Sequence, residues 1–417
     1  MLPRPPRVFP IGRLLIGGFL SLVVVDCGLR VIEETPLWRI LPVVQSILGQ
    51  PDMDVGFDST PGAYGIQAQE HRSRLRINSL GLRDVERDLV KPVGTIRIGL
   101  LGDSMVEAAQ VSQEATFGTR AERALRVEGY NIELINLAIA GPSPIRQLLR
   151  LEKRGYALNL DFVVANSAAG SFLSGVLLDD SENPGYVDSG DGRLVRGYGF
   201  RQRFSHRHIE DVWGRLFVAL YQHSPLFRML YLRVKQPWRE MFGLSTPQSS
   251  QRSIAPVSPP DMVAQCNTAA AMLEPHMELW LRHRPEREWA ATAQFLDDFS
   301  ESTRAHGVQA LYAVRDIPLP SVGCPSVDAQ RAELTSGMSA EFTGRGMMFV
   351  DWSAAVAAVI STQNLRPLHG FGIHRGEGHL NYDGHRAWTA ALTNVLKLKL
   401  LDRKDKSLTT DGRVEGM

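Results

Sequence analysis

The stretch Thr95-Ile96-Arg97-Ile98-Gly99-Leu100-Leu101-Gly102-Asp103-Ser104 decides how this chain is read. Residues 95–101 form an apolar, β-branched run of strand length, and Gly-Asp-Ser is turn chemistry. Behind the turn, Phe117, Ala121, Ala124 and Leu125 recur at helical spacing, with Thr116 placed as N-cap. Strand, turn and helix in that order set Ser104 at the carboxyl edge of a sheet, where open α/β folds hold their ligands. A lone Gly-Asp-Ser is weak evidence, because such tripeptides are common in ordinary turns.

Outward from this point the unit repeats. Residues 131–137 (NIELINL) read as a second strand, Ala140-Gly141-Pro142 as a loop, 145–151 as the start of a helix and 162–165 as a third strand. Far downstream, 289–305 reads as a helix, 308–314 and 347–351 as strands, and 387–396 as a final amphipathic helix. Alternating strands and helices predict an α/β fold, a parallel sheet flanked by helices on both faces, over residues 95–401. An insertion at 175–288 interrupts the rhythm. Within it, 207–234 carries Val212, Trp213, Leu216, Phe217, Leu220, Tyr221, Leu226, Phe227 and Leu230 at helical spacing. Three uses fit such a segment: a cap over the site, packing on the main domain, or contact with a membrane surface. Residues 244–260, rich in Ser, Pro and Gln, read as a linker, and 402–417 as a disordered polar tail.

Toward the N-terminus, Arg4, Arg7 and Arg13 precede an apolar run over 14–25, and Asp26, Glu33 and Glu34 follow it. Basic residues before and acidic residues after predict a cytoplasmic segment 1–13, a membrane anchor 14–34 and a translocated remainder. The expectation is therefore a single-pass protein of the cell inner membrane with a periplasmic or otherwise extracytoplasmic body. A cleaved signal peptide competes, but no small-x-small cleavage site follows the run. Residues 35–94, rich in Pro, Gly and charge and without a strong period, read as a connecting segment with scattered short elements.

The chain has 417 residues, 44% hydrophobic and 22% charged, enough for a sizeable core. Its 46 Lys+Arg against 45 Asp+Glu give a net charge of +1, which offers no general attraction for nucleic acid. Cys266 and Cys324 are placed either to pair in an oxidising compartment or to remain buried thiols, and Cys27 lies at the end of the anchor. His369, His374, His379 and His385 follow one another at spacings of five, five and six, which puts no pair on one helical face at i, i+4. No metal and no cofactor are expected.

A second chemical signal is Glu377-Gly378-His379-Leu380-Asn381, just before the last helix, with Asn381 or Asp383 suited to cap it. A histidine held there is placed to take a serine proton as general base and return it to a leaving alcohol. A neighbouring carboxylate would fix its tautomer, and Glu377 is the nearest candidate in sequence.

Together and in this order, the blocks resemble the SGNH/GDSL hydrolase family, specifically its membrane-anchored bacterial branch. The residues that carry the likeness are Val25-Asp26-Cys27-Gly28-Leu29-Arg30, Ile77-Asn78-Ser79-Leu80-Gly81-Leu82-Arg83-Asp84, Ile98 through Ser104, Asn136-Leu137-Ala138-Ile139-Ala140-Gly141, and Gly378-His379-Leu380-Asn381 with Gly384-His385. The resemblance implies a three-layer, flavodoxin-like α/β fold with an N-terminal transmembrane helix. It implies Ser104 as nucleophile, His379 as base, and an oxyanion hole to which the Ser104 and Gly141 N–H groups contribute. Two departures stand out. The family's oxyanion Asn is replaced, by offset from the third strand, by Ser171, because Asn166 comes too early; its Asp before the histidine is replaced by Glu377, with Gly376 at the alternative position. The activity that the resemblance implies is acyl-ester hydrolysis or O-acyl transfer on an acylated carbohydrate, with O-acetylated envelope or exported polysaccharide as the expected substrate. The rival expectation is a catalytically degenerate glycan-binding or assembly module.

Overall fold

The computed structural model describes residues 11–39, 48–67, 70–141, 143–177, 183–203, 207, 211–231, 234, 262–317, 324–363, 367–371 and 376–401. The predicted linker 244–260, the tail 402–417, His374 and the first ten residues lie outside them.

Helix α1 (Ile11–Glu34) opens the chain, and its window Leu15–Glu34 is long and apolar enough to cross a membrane. Two antiparallel hairpins follow, β1 (Gly49–Asp52) with β2 (Gly56–Ser59) and β3 (Tyr64–Gln67) with β4 (Ser73–Arg76). The segment 35–94 is therefore more than a connector. Its Val55, Ile66, Leu75, Ile77 and Leu82 are buried, so it packs as part of the body.

The α/β body begins with β5 (Ile96–Gly102), α2 (Ser104–Glu107), α3 (Phe117–Val127), β6 (Ile132–Asn136), α4 (Pro144–Arg150) and β7 (Phe162–Ala168). The insertion contributes a hairpin, β8 (Gly185–Asp188) with β9 (Leu194–Gly197), and helices α5 (Val212–His223) and α6 (Met262–Trp280). Then come α7 (Glu286–Ala305), β10 (Gln309–Arg315), α8 (Pro325–Gly344), β11 (Met348–Asp351), α9 (Trp352–Gln363) and α10 (Tyr382–Leu396). The caps follow from local chemistry. Thr116 accepts the Thr119 N–H at the head of α3, and Asn381 accepts those of Asp383 and Gly384 at the head of α10.

Five parallel strands make the sheet, in the order β11-β10-β7-β5-β6. Chain order reverses between β5 and β7, which makes their carboxyl ends the switch point where open α/β sheets leave a crevice. Gly102 pairs with Asn166 there. Successive residues of each strand face opposite layers. Leu101, Val163, Ala165, Tyr312 and Val314 pack with Ile145, Trp280, Phe295 and Phe342 of α4, α6, α7 and α8. Ile98, Leu100, Val164, Leu311 and Ala313 pack with Phe117, Trp352 and Trp388 of α3, α9 and α10. A Cys266–Cys324 disulfide ties α6 to the head of α8, with Cα atoms 5.6 Å apart.

The predicted helical segment 207–234 is broken. α5 ends at His223 with Ser224 as its C-cap, and residues 225–231 are helical again. Pro225 accounts for the break, since the residue before a proline is pushed out of the helical region, and Ser224 is extended at φ −113°, ψ 104°.

Candidate active site

Ser104 is the first residue of α2, directly beyond the switch-point strand β5. Asp103 caps that short helix by accepting the Met105 N–H at 3.0 Å. Its other carboxylate oxygen is held by Arg315, at the end of β10, which also donates to Asn166 Oδ1 at 2.8 Å. One buried guanidinium thus joins the ends of β5, β7 and β10. Gly102 is required by space, because a Cβ there would lie 2.2 Å from Val106 Cγ2.

The block 77–84 braces α2 from the other side. Asn78 Oδ1 accepts the Leu80 and Leu82 N–H groups at 3.0 and 2.9 Å, closing a turn in which Gly81 has φ +74°. The turn delivers buried Arg83, which donates to Glu107 O at 2.7 Å and Val111 O at 2.6 Å. Burial lowers the Arg83 pKa to about 10 against the opposing pull of Glu107, Asp84 and Glu114, so it remains charged at neutral pH.

The glycine block closes the same edge. Asn136 donates its amide to Val106 O at 3.2 Å and accepts the Ala138 N–H at 3.0 Å, and Ala140 donates its N–H to Glu107 at 3.0 Å. Gly141 follows at φ +133°. Among the described residues neither the Ser104 N–H nor the Gly141 N–H has a hydrogen-bond partner. Ser171 sits buried in the 3-10 turn Ala169–Phe172 just past β7, and its hydroxyl has no partner among those residues either.

His379 stands on a short antiparallel ladder in which Gly370 donates its N–H to His379 O at 2.8 Å and Asn381 to Leu368 O at 2.9 Å. The Asn381 amide ties the ladder down through Pro367 O, His369 O and Gly370 O. The carboxylate against His379 is Glu70, not Glu377. Glu70 Oε1 lies 2.7 Å from His379 Nδ1, and Glu70 Oε2 accepts the His379 N–H at 3.0 Å. Glu377 is exposed, with no hydrogen bond or ion pair among the described residues. The flanking glycines explain the difference. Gly376 and Gly378 have φ +101° and +78°, and Gly378 passes so close to Glu70 that a Cβ would lie 2.9 Å from its carboxylate oxygen. Burial works to raise the Glu70 pKa, but the bonds from His379 outweigh it and hold the group below its ordinary value. The acid is therefore ionised at neutral pH.

His379 and Ser104 border one patch of core, since Leu380 and Met105, their immediate neighbours, pack into the same apolar cluster. His369 has a structural place, its Nδ1 bonded to Gly378 O at 3.0 Å. His385 is fully buried beside Phe117, and neither ring nitrogen has a hydrogen-bond partner among the described residues. Burial first, then Arg83 and Arg120, push its pKa down to about 3, so it is neutral.

Glu70, Arg315 and Arg83 are the site residues that sequence reasoning missed. Arg83 lay inside a quoted block, and Arg315 carried a signal as a charge ending an apolar strand. Glu70, 309 residues from its partner, carried none.

No protein-family model matches the sequence, and no curated protein matches it. Among solved structures the chain is similar to TesA (13% identity, TM-score 0.34, covering 72% of this chain and 98% of that one). It is also similar to the psychrotrophic esterase EstA from Pseudoalteromonas sp. (11%, TM-score 0.34, 73% and 98%) and to a lipase/acylhydrolase from Enterococcus faecalis (12%, TM-score 0.33, 73% and 97%).

Proposed function

We propose that the chain is a serine-dependent acyl-ester hydrolase or acyltransferase, with Ser104 as nucleophile, His379 as general base and Glu70 as the carboxylate that orients it. The observation that carries this reading is the Glu70–His379 contact at 2.7 Å. With Nδ1 committed to Glu70, Nε2 is the ring nitrogen left to accept the Ser104 proton. Ser104 Oγ then adds to the ester carbonyl, and the resulting oxyanion faces the free N–H groups of Ser104 and Gly141. Collapse breaks the ester bond, and His379 returns the proton to the departing alcohol. The acyl group passes from Ser104 to water or to an acceptor hydroxyl, with His379 again as base. By its offset from the strand, Ser171 would take the position of the oxyanion Asn that the resemblance implies, and a missing donor costs on the order of a hundredfold in rate.

The side chains of His379 and Glu70 are 25% and 34% exposed, an openness that suits an acyl group carried on a large polymer. With the basic residues of the N-terminus held inside, α1 would carry the site outside the cytoplasm. An O-acetylated envelope or exported polysaccharide meets both conditions. The test is hydrolysis of p-nitrophenyl acetate, and acetate release from an O-acetylated glycan, by the full-length chain in detergent. Ser104→Ala should abolish both; turnover that survives the substitution contradicts the reading.

A further inference from the structure

The end of α1 and the helical pair of the insertion are built into one another. Asp26 accepts from Ser224 Oγ at 2.7 Å and from the Leu226 N–H at 3.1 Å, and so caps residues 225–231 from another helix. About two turns further along α1, Glu33 pairs with buried Arg228 at 2.7 Å. Gln222 and His223, at the end of α5, line a cleft with Arg30, Glu33 and Glu34.

Length then sets the depth of this junction. A hydrocarbon core about 30 Å thick takes roughly 20 helical residues at about 1.5 Å each. The apolar window of α1 is Leu15–Glu34, 20 residues. Its stretch before Asp26, residues 15–25, covers only about 17 Å. A span complete in thickness must therefore run past Asp26 toward Glu34, about 12 Å further, and whatever is docked on Asp26 is drawn down with it. The surface of α5 matches that position. Val212 and Trp213 are 73% and 77% exposed, and Leu216, Phe217 and Leu220 continue the same exposed stripe at helical spacing. Asp26 pairs with Arg30 at 3.1 Å and Glu33 with Arg228, and such pairing is the condition under which charge is tolerated at depth; Glu34, at the end of the window, accepts from the Tyr64 hydroxyl at 2.9 Å.

We infer that α5 and residues 225–231 lie in the outer interface of the bilayer that α1 crosses, with the Val212–Trp213–Leu216–Phe217–Leu220 stripe against lipid. The inference rests on α1 being a retained span. Together the span and the interfacial helix hold the catalytic domain at a fixed height and tilt.

The test uses the full-length protein with Cys27→Ser, reconstituted in vesicles of phosphatidylethanolamine and phosphatidylglycerol. Nitroxide labels are placed singly through Trp213→Cys, Leu216→Cys, Val23→Cys in α1, and Val127→Cys, an 85% exposed site on α3. Collision with oxygen is compared with collision with a water-soluble nickel chelate. At Trp213 and Leu216 the oxygen-to-nickel ratio should exceed that at Val127 by roughly threefold or more, and Val23 should be higher still. A Val127-like ratio at Trp213 and Leu216 beside a lipid-like Val23 overturns the inference and leaves the span intact. A water-like Val23 overturns the span, and the inference with it. Spin–spin broadening at Trp213 that grows with protein-to-lipid ratio shows a second copy on the stripe, which also overturns it.

Discussion

Replacing Glu70 by Gln keeps the shape of the contact with His379 and removes its charge. In the proposed mechanism His379 becomes an imidazolium, and Glu70 is the carboxylate beside it at 2.7 Å. Both side chains are partly exposed, at 25% and 34%, so the effective dielectric lies between that of a protein surface and that of water. At an effective value of about 40, a charge pair at this separation is worth about 3 kcal/mol. Lost from the transition state alone, that is roughly a hundredfold in kcat, smaller than the roughly 10⁴-fold loss in triads whose acid is buried. The assay is steady-state hydrolysis of p-nitrophenyl acetate by full-length protein, normalised to the fraction of serine that a fluorophosphonate can titrate. Glu377→Gln serves as the matched control and should stay within about twofold of the parent. A Glu70→Gln variant within about threefold of the parent, or a Glu377→Gln variant equally impaired, refutes the assignment.

Arg315→Met should destabilise the domain by about 3–5 kcal/mol in urea unfolding, because it leaves the buried Asp103 carboxylate without its counter-charge; Arg315→Lys, lacking the planar fork that reaches Asn166 as well, should recover only part. His385 has a folded pKa of about 3 against 6.5 for the free side chain, so the unfolded chain binds more protons between those values and stability falls as pH drops from 6.5 toward 3. Lowering pH from 6.5 to 5 should therefore remove about 2 kcal/mol, seen as a falling urea midpoint, and His385→Leu should flatten that slope. Paired Cys266→Ser and Cys324→Ser substitutions open a loop of 58 residues and should cost roughly 4 kcal/mol on the chain-entropy model, again read from unfolding midpoints.

Much of the fold was legible because its determinants are local. The β5 run and the Thr116 and Asn381 caps each follow from a few adjacent residues, whereas the break at Ser224-Pro225 is hidden by apolar helical spacing that continues across it. β7 runs beyond its predicted end because Asn166 and Ser167 look like loop residues in sequence. In the sheet both are satisfied, Ser167 by the Tyr312 hydroxyl at 2.8 Å and Asn166 by Arg315. The short elements expected in 35–94 include two hairpins, whose four-residue strands carry too little alternation to be placed individually. Glu70 escaped for a different reason. Its role depends on where one hairpin packs against a loop more than three hundred residues away, and Glu377, adjacent in sequence, is turned out by its flanking glycines.

The serine mechanism is tested most directly by treating the full-length protein with a fluorophosphonate and mapping the adduct by peptide mass spectrometry. Ser104 should carry a single adduct, with labelling abolished by His379→Ala and slowed by Glu70→Gln. No adduct, or an adduct elsewhere while Ser104 remains unmodified, would contradict it.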